Sequence, residues 1–133
     1  MRPKVLDCFP FAGSPTELDL LECRLTELYE AVDGFVIVEA TVDHQDHPKD
    51  LRYLEHECRY KPFADKITYV VADRLPTLTE DPGPRGREHA QREWIRVGLK
   101  QLGVDDDDVV LQSDLDEIPT AVAARNVQPR GYT

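Results

Sequence analysis

Asp114 and Asp116 stand one residue apart, just after the apolar run Val109-Val110-Leu111 and just before Glu117-Ile118-Pro119. Carboxylates bind hard divalent cations through oxygen, and alternate residues at a strand end project to the same side. The pair can therefore converge on one ion. Such an ion could bridge to diphosphate oxygens and stabilise a departing nucleotide. Other chemistry-bearing residues read differently. Asp105-Asp106-Asp107-Asp108 is a solvated run of like charge; taken as a calcium loop, it puts Val110 where glycine is required and lacks the terminal glutamate. His44, Asp46 and His47 could gather a metal, yet no spaced partner completes a zinc site. Glu88 and Arg92 lie four residues apart and could pair along a helix; alternatively, Arg92 faces the ligand edge and binds phosphate with its planar donors. Cys8, in or beside a strand, reads as core rather than nucleophile. No P-loop, GxGxxG or GxSxG pattern occurs.

The elements that must position these residues alternate between strand and helix. Val5-Leu6-Asp7-Cys8-Phe9 predicts a short buried strand stopped by Pro10. Ser14-Pro15-Thr16-Glu17 predicts a helix start, with Ser14 as cap, Pro15 at the first position and Glu17 closing a capping box. Leu18, Leu21, Leu25, Leu28 and Val32 continue at helical spacing, and Gly34 reads as the stop. Phe35-Val36-Ile37-Val38 is a strand covered on both faces. Leu51 to Tyr60 is weakly helical, and Ile67 to Val71 is a third strand. Asp73 to Arg87, rich in proline and glycine, reads as a long loop. Arg87 to Leu102 predicts a helix closed by Gly103, Val109-Val110-Leu111 a fourth strand, and a short helix follows Pro119. This order implies β-α-β units and a mostly parallel sheet flanked by helices. Ligands of such sheets bind outside the carboxyl ends of the strands, which gathers Phe9, Glu39, Asp73 and Asp114 to Glu117 at one edge.

Composition narrows the field. With 133 residues, the chain fits one domain, 1–133, large enough to bury roughly two-thirds of its unfolded surface. Twenty-six acids against sixteen bases leave a net charge of −10, which excludes a non-specific nucleic-acid binder. A phosphorylated substrate stays compatible if a metal ion neutralises the meeting of like charges. Three cysteines without CxxC spacing argue against a disulfide framework and fit a reducing compartment. No apolar run approaches the ~20 residues of a membrane span, and cytoplasm is the expected location.

Several ordered blocks resemble glycosyltransferase family 17, which includes bisecting β-1,4-N-acetylglucosaminyltransferases. They are Asp7 to Phe11, Glu17 to Leu25 with Glu27-Leu28-Tyr29, Phe35 to Glu39, Glu88 with Gln91-Arg92, and Ser113 to Pro119. Thr16 and Glu93 depart from the family pattern, which usually has Asn at both places. The resemblance implies a GT-A-like, Rossmann-like fold in which Asp114 and Asp116 hold Mn²⁺ or Mg²⁺ against the diphosphate of a UDP-linked sugar. The sugar would be N-acetylglucosamine and the acceptor a glycan or other hydroxyl. Ser113 and Asp114 then belong to the donor site; strand-end topology adds Phe9 and Glu39 near the nucleotide and Arg92 near the phosphates. Family members continue beyond the DxD block, so the chain is expected to be incomplete relative to them, with an apolar face exposed for association. An inverting transfer needs a base to deprotonate the acceptor; none is identified, and Glu117 is a distant candidate.

Two other readings share these residues. One is a non-catalytic, truncated domain that binds nucleotide and acts through a partner. The other is a haloacid-dehalogenase-type phosphatase, where a strand also ends in DxD; Glu117-Ile118 replaces the Gly-Thr usual after that motif.

Overall fold

The computed structural model describes residues 3–43, 47–73 and 84–126, the side chains of 84–89, 91 and 92 excepted. Among these residues nine elements follow in order. These are β1 (Val5–Phe11), α1 (Pro15–Leu28), β2 (Gly34–Ala40), α2 (Arg52–Glu55), a 3₁₀ stretch (Glu57–Lys66), β3 (Ile67–Ala72), α3 (Pro84–Leu102), β4 (Val109–Gln112) and α4 (Ala121–Arg125). The four strands form one all-parallel sheet in the order β3-β2-β1-β4. The expected α/β architecture is thus present. Strand order reverses between β1 and β4, because the chain builds outward from β1 to β3 and then returns to β1's other side. A crevice at such a reversal is where ligands of open parallel sheets bind.

Alternation along the strands sorts the core into two layers. Phe9 and Phe11 of β1 and Phe35 and Ile37 of β2 face α1, where Leu18, Leu21, Leu25 and Leu28 meet them with Tyr53 and Tyr60. Leu6, Cys8, Val36, Val38 and Val70 face the other way, against Ile95 of α3. The approach of α3 is close. A Cβ on Gly98 would lie 2.6 Å from Cγ1 of Val36 and 3.0 Å from Cγ2 of Val70, so only glycine lets the helix sit there. Burial accounts for Cys8: loss of water, reinforced by neighbouring Asp7, pushes its thiol up to about 12. Among the described residues no helix is long and apolar enough to cross a membrane. Among the described residues the large apolar side chains left exposed, Leu54, Val97, Val110 and Val122, sit on four different elements.

Local chemistry explains where the elements differ from expectation. At the start of α1, the Ser14 hydroxyl accepts from the Glu17 N–H as predicted. The Glu17 carboxylate, however, reaches past the cap to the N–H groups of Ala12 (2.8 Å) and Gly13 (3.0 Å), folding the β1–α1 loop onto the helix. The helix ends at Leu28 rather than running on to Gly34. The Lys66 ammonium donates to the carbonyls of Tyr29 and Val32, just past the helix end, placing positive charge at the negative end of the helix dipole. Gly34 instead opens β2, paired with Leu6. The 51–60 segment yields only one α-turn and then 3₁₀ geometry, with Pro62 unable to donate to an α-helical ladder. Helix α3 begins at Pro84, three residues earlier than predicted, and ends as predicted. Gly103 adopts φ +66°, while the N–H groups of Gly103 and Val104 return to the carbonyls of Lys100 and Leu99, a Schellman closure. Most of the predicted 73–87 loop lies outside the described residues, as do His44 and Asp46.

Candidate active site at the end of the fourth strand

The last ladder contacts of β4 pair Gln112 with Cys8, and the Ser113 N–H extends them to the Cys8 carbonyl. Beyond this point the chain stops being a strand. Asp114 to Glu117 form a turn in which the Glu117 N–H donates to the Asp114 carbonyl at 3.0 Å. The pair expected at a strand end thus stands in a turn just past it, so its geometry is set by the turn and not by strand alternation. Leu115, between the two acids, is buried in the α1-side core. Asp116 is exposed and Asp114 half-buried. The turn is tied from within as well: the Glu117 carboxylate accepts from the Asp114 N–H at 2.9 Å, and the Ser113 hydroxyl donates to the Glu117 carbonyl.

The turn is also held from below by a residue that sequence reasoning gave no role. Arg24 of α1 is fully buried. Its Nε and Nη2 donate to the two carboxylate oxygens of Asp7 at 2.8 and 2.7 Å, a bidentate pair. Nη1 donates to the carbonyls of Asp114 (2.7 Å) and Leu115 (3.1 Å), and Nη2 also reaches the Ser113 hydroxyl (2.7 Å). The guanidinium lies over the Phe9 ring, 4.4 Å from its centroid. A buried guanidinium is costly unless every donor is met, and here all five are. A signal was available in the sequence. Asp7 interrupts an apolar strand and Arg24 interrupts the Leu18–Leu28 stripe of a helix. Complementary charges at two core-facing positions call for each other.

The remaining site candidates are distributed across the sheet. Phe9 is on β1, next to β4, but is fully buried beneath Arg24. Glu39 is the penultimate residue of β2, two strands from β4 and so roughly 10 Å away. It too is fully buried, and its carboxylate accepts from the N–H groups of Arg52 (2.7 Å) and Tyr53 (3.0 Å), the Tyr69 hydroxyl (2.8 Å) and the Lys49 ammonium. Burial, and then that hydrogen bond, pushes the Tyr69 hydroxyl above the usual phenol range. Glu39 thereby orders the start of α2 at the ligand edge, where a Cβ on Gly13 (φ +86°) would lie 2.2 Å from Cβ of Arg52. Asp73 follows β3, a further strand away. Arg92 is in α3, on the opposite face of the sheet from α1, and its side chain lies outside the described residues. Asp108, in the acidic run, serves the fold. Its carboxylate accepts from the N–H groups of Lys4 and Asp105, fastening the entry of β4 to that of β1.

Among the described residues no group of three or more His, Cys, Asp or Glu side chains could by itself hold a metal ion. Asp114 and Asp116 offer two carboxylates at the ligand edge. That donor set suits a hard ion completing its shell with water and substrate oxygens, as Mg²⁺ and Mn²⁺ do.

A parallel sheet carrying a fastened acidic turn at its strand-order reversal belongs to the α/β class whose ligands sit at the strand ends. Within that class, residues 1–128 match the model of Glycosyltransferase family 17, and the chain belongs to that family. It is 32% identical over 111 residues to the human, rat and mouse proteins called beta-1,4-mannosyl-glycoprotein 4-beta-N-acetylglucosaminyltransferase. Those matches cover 77% of this chain and 20% of each relative, so the chain spans about one-fifth of their length. No solved structure matches.

Proposed function

We propose that this chain forms the donor-binding part of a metal-dependent glycosyltransferase that uses a UDP-linked sugar, N-acetylglucosamine, and a glycan or other hydroxyl acceptor. The observation that carries the proposal is the Ser113–Glu117 turn. It stands at the β1/β4 reversal, with its apolar middle residue in the core and its acids at the ligand edge, in a chain of family 17. The relatives' names supply the sugar.

In this reading Asp114 and Asp116 would hold Mn²⁺ or Mg²⁺. When bound, the ion would neutralise the donor diphosphate and favour its departure. The protein's own contribution is placement. Ser113 joins the turn to Arg24, Phe9 gives Arg24 a flat surface to rest on, and Glu39 orders residues 49–53 along the same edge. Arg92 is the candidate phosphate ligand from α3. Glu117 steadies the turn by accepting the Asp114 N–H at one carboxylate oxygen, and as a base for the acceptor it would use the other.

Calorimetry of UDP-N-acetylglucosamine binding with and without Mn²⁺ tests the proposal. The expected result is metal-dependent heat that Asp116→Asn abolishes. Absence of heat with the wild type, or an unchanged isotherm for Asp116→Asn, overturns it. Metal-dependent binding without sugar transfer would assign this chain a binding role alone.

A further inference from the structure

The five N–H groups of Arg24 are divided between two parts of the molecule. Two go to Asp7, inside the first strand, and three go to the backbone and hydroxyl of Ser113, Asp114 and Leu115. Asp7 would be matched by any cation of the right reach. The other three bonds are different, since they are received by two main-chain carbonyls and a hydroxyl, groups with no net charge to neutralise. They have a geometric effect: they fix the peptide planes on either side of Leu115, and so the directions in which Asp114 and Asp116 leave the backbone. The Ser113 hydroxyl extends this hold to the far end of the turn by donating to the Glu117 carbonyl.

We propose that Arg24 is a positioning residue for the divalent cation, setting the affinity of the Asp114–Asp116 pair through the backbone of the turn. This rests on the cation reading given above. Neither carboxylate touches the guanidinium in the hydrogen bonds that define the clasp, so the effect travels through main-chain geometry. Lysine at position 24 would keep the charge opposite Asp7. It would lose the planar fork that reaches Asp7 and the turn together. Groups that orient metal ligands in this way typically carry 10–100-fold of metal affinity.

The test measures Mn²⁺ binding, alone and with UDP, from the electron paramagnetic resonance signal of the free ion. The proteins are the wild type, Arg24→Lys, Ser113→Ala and Ile95→Ala. Ile95 packs in the opposite core layer and controls for general loss of stability. Each protein is measured at a temperature where its circular dichroism matches that of the wild type. Arg24→Lys is expected to weaken Mn²⁺ binding by about 10–100-fold, Ser113→Ala to weaken it less, and Ile95→Ala to leave it unchanged. Wild-type affinity in Arg24→Lys, or an equal loss in Ile95→Ala, overturns the proposal. Should Arg24→Lys not fold, unchanged affinity in Ser113→Ala overturns it. A wild type that binds no Mn²⁺ overturns the cation reading itself, and this inference with it.

Discussion

Replacing Glu39 by glutamine asks whether a buried carboxylate at the ligand edge serves the fold or the ligand. Its Oε1 accepts from Tyr53 and Tyr69, and its Oε2 from Arg52 and Lys49. Glutamine turns one oxygen into an NH₂ group, so one pair of donors meets another donor. Two hydrogen bonds to a charged acceptor, at about 1.5–3 kcal/mol each, put the loss near 3–6 kcal/mol. The Lys49 side chain is 14% exposed and can recover some hydration, which favours the lower half, about 3–4 kcal/mol. Over 133 residues, at roughly 2.1 cal/mol/K each, the unfolding entropy is about 0.28 kcal/mol/K. The expected fall in Tm is then about 10–14 °C. Urea unfolding followed by circular dichroism should show a lower midpoint at unchanged slope. A loss below about 1 kcal/mol would refute the reasoning, because two buried donors left facing an amide NH₂ cannot cost so little if they depend on the carboxylate. Wild-type stability together with lost UDP binding would make Glu39 a ligand contact instead.

Other outcomes follow from single features. In the native protein, a thiol reagent with mass-spectrometric readout should label exposed Cys23 and Cys58 quickly and spare Cys8, raised to about 12 by burial, until the chain is unfolded; three equal rates would contradict the described core. Gly98→Ala should destabilise by about 1–3 kcal/mol in urea titrations despite alanine's better helix propensity, since the new Cβ meets two valines of the sheet; a gain in stability would show that α3 can move aside. Backbone N–H donors, Asp105's first and then Lys4's, hold the Asp108 carboxyl below its usual range. Its stabilising effect is thus complete above the unfolded value of about 3.9 and fades as pH falls through the lower folded value. Wild type and Asp108→Asn should differ by a constant amount above about pH 5 and draw together in acid; a gap that widens on acidification would reverse the sign.

The order of elements is legible in the sequence because period and punctuation agree with the final packing. Phe35 to Val38 is apolar on both faces because helices cover both, and Gly103 ends α3 because the Schellman turn needs a left-handed residue. The far end of α1 is not legible, because Val32 keeps helical spacing while lying past the helix end; the Lys66 ammonium that donates to its carbonyl is 34 residues away. Asp114 and Asp116 are legible as a motif but not in their geometry. The turn depends on Leu115 finding a core and on Arg24 finding three acceptors, and neither is local. Glu39 can be placed at the edge from its position after an apolar strand. Its engagement with Lys49, Tyr69 and the start of α2 belongs to the third dimension.

The clasp between Arg24 and the acidic turn joins positions 90 residues apart. Closing so long a loop carries an entropy cost that only late, cooperative contacts recover. Helix α1 and the first two strands can meet through neighbours close in sequence, whereas the turn acquires its shape only when β4 arrives beside β1. A cation held by Asp114 and Asp116, as proposed above, would therefore recognise a turn shaped only once β4 lies beside β1. Its binding free energy would also hold β4 in place, so that ion occupancy and the docking of β4 would report on one another.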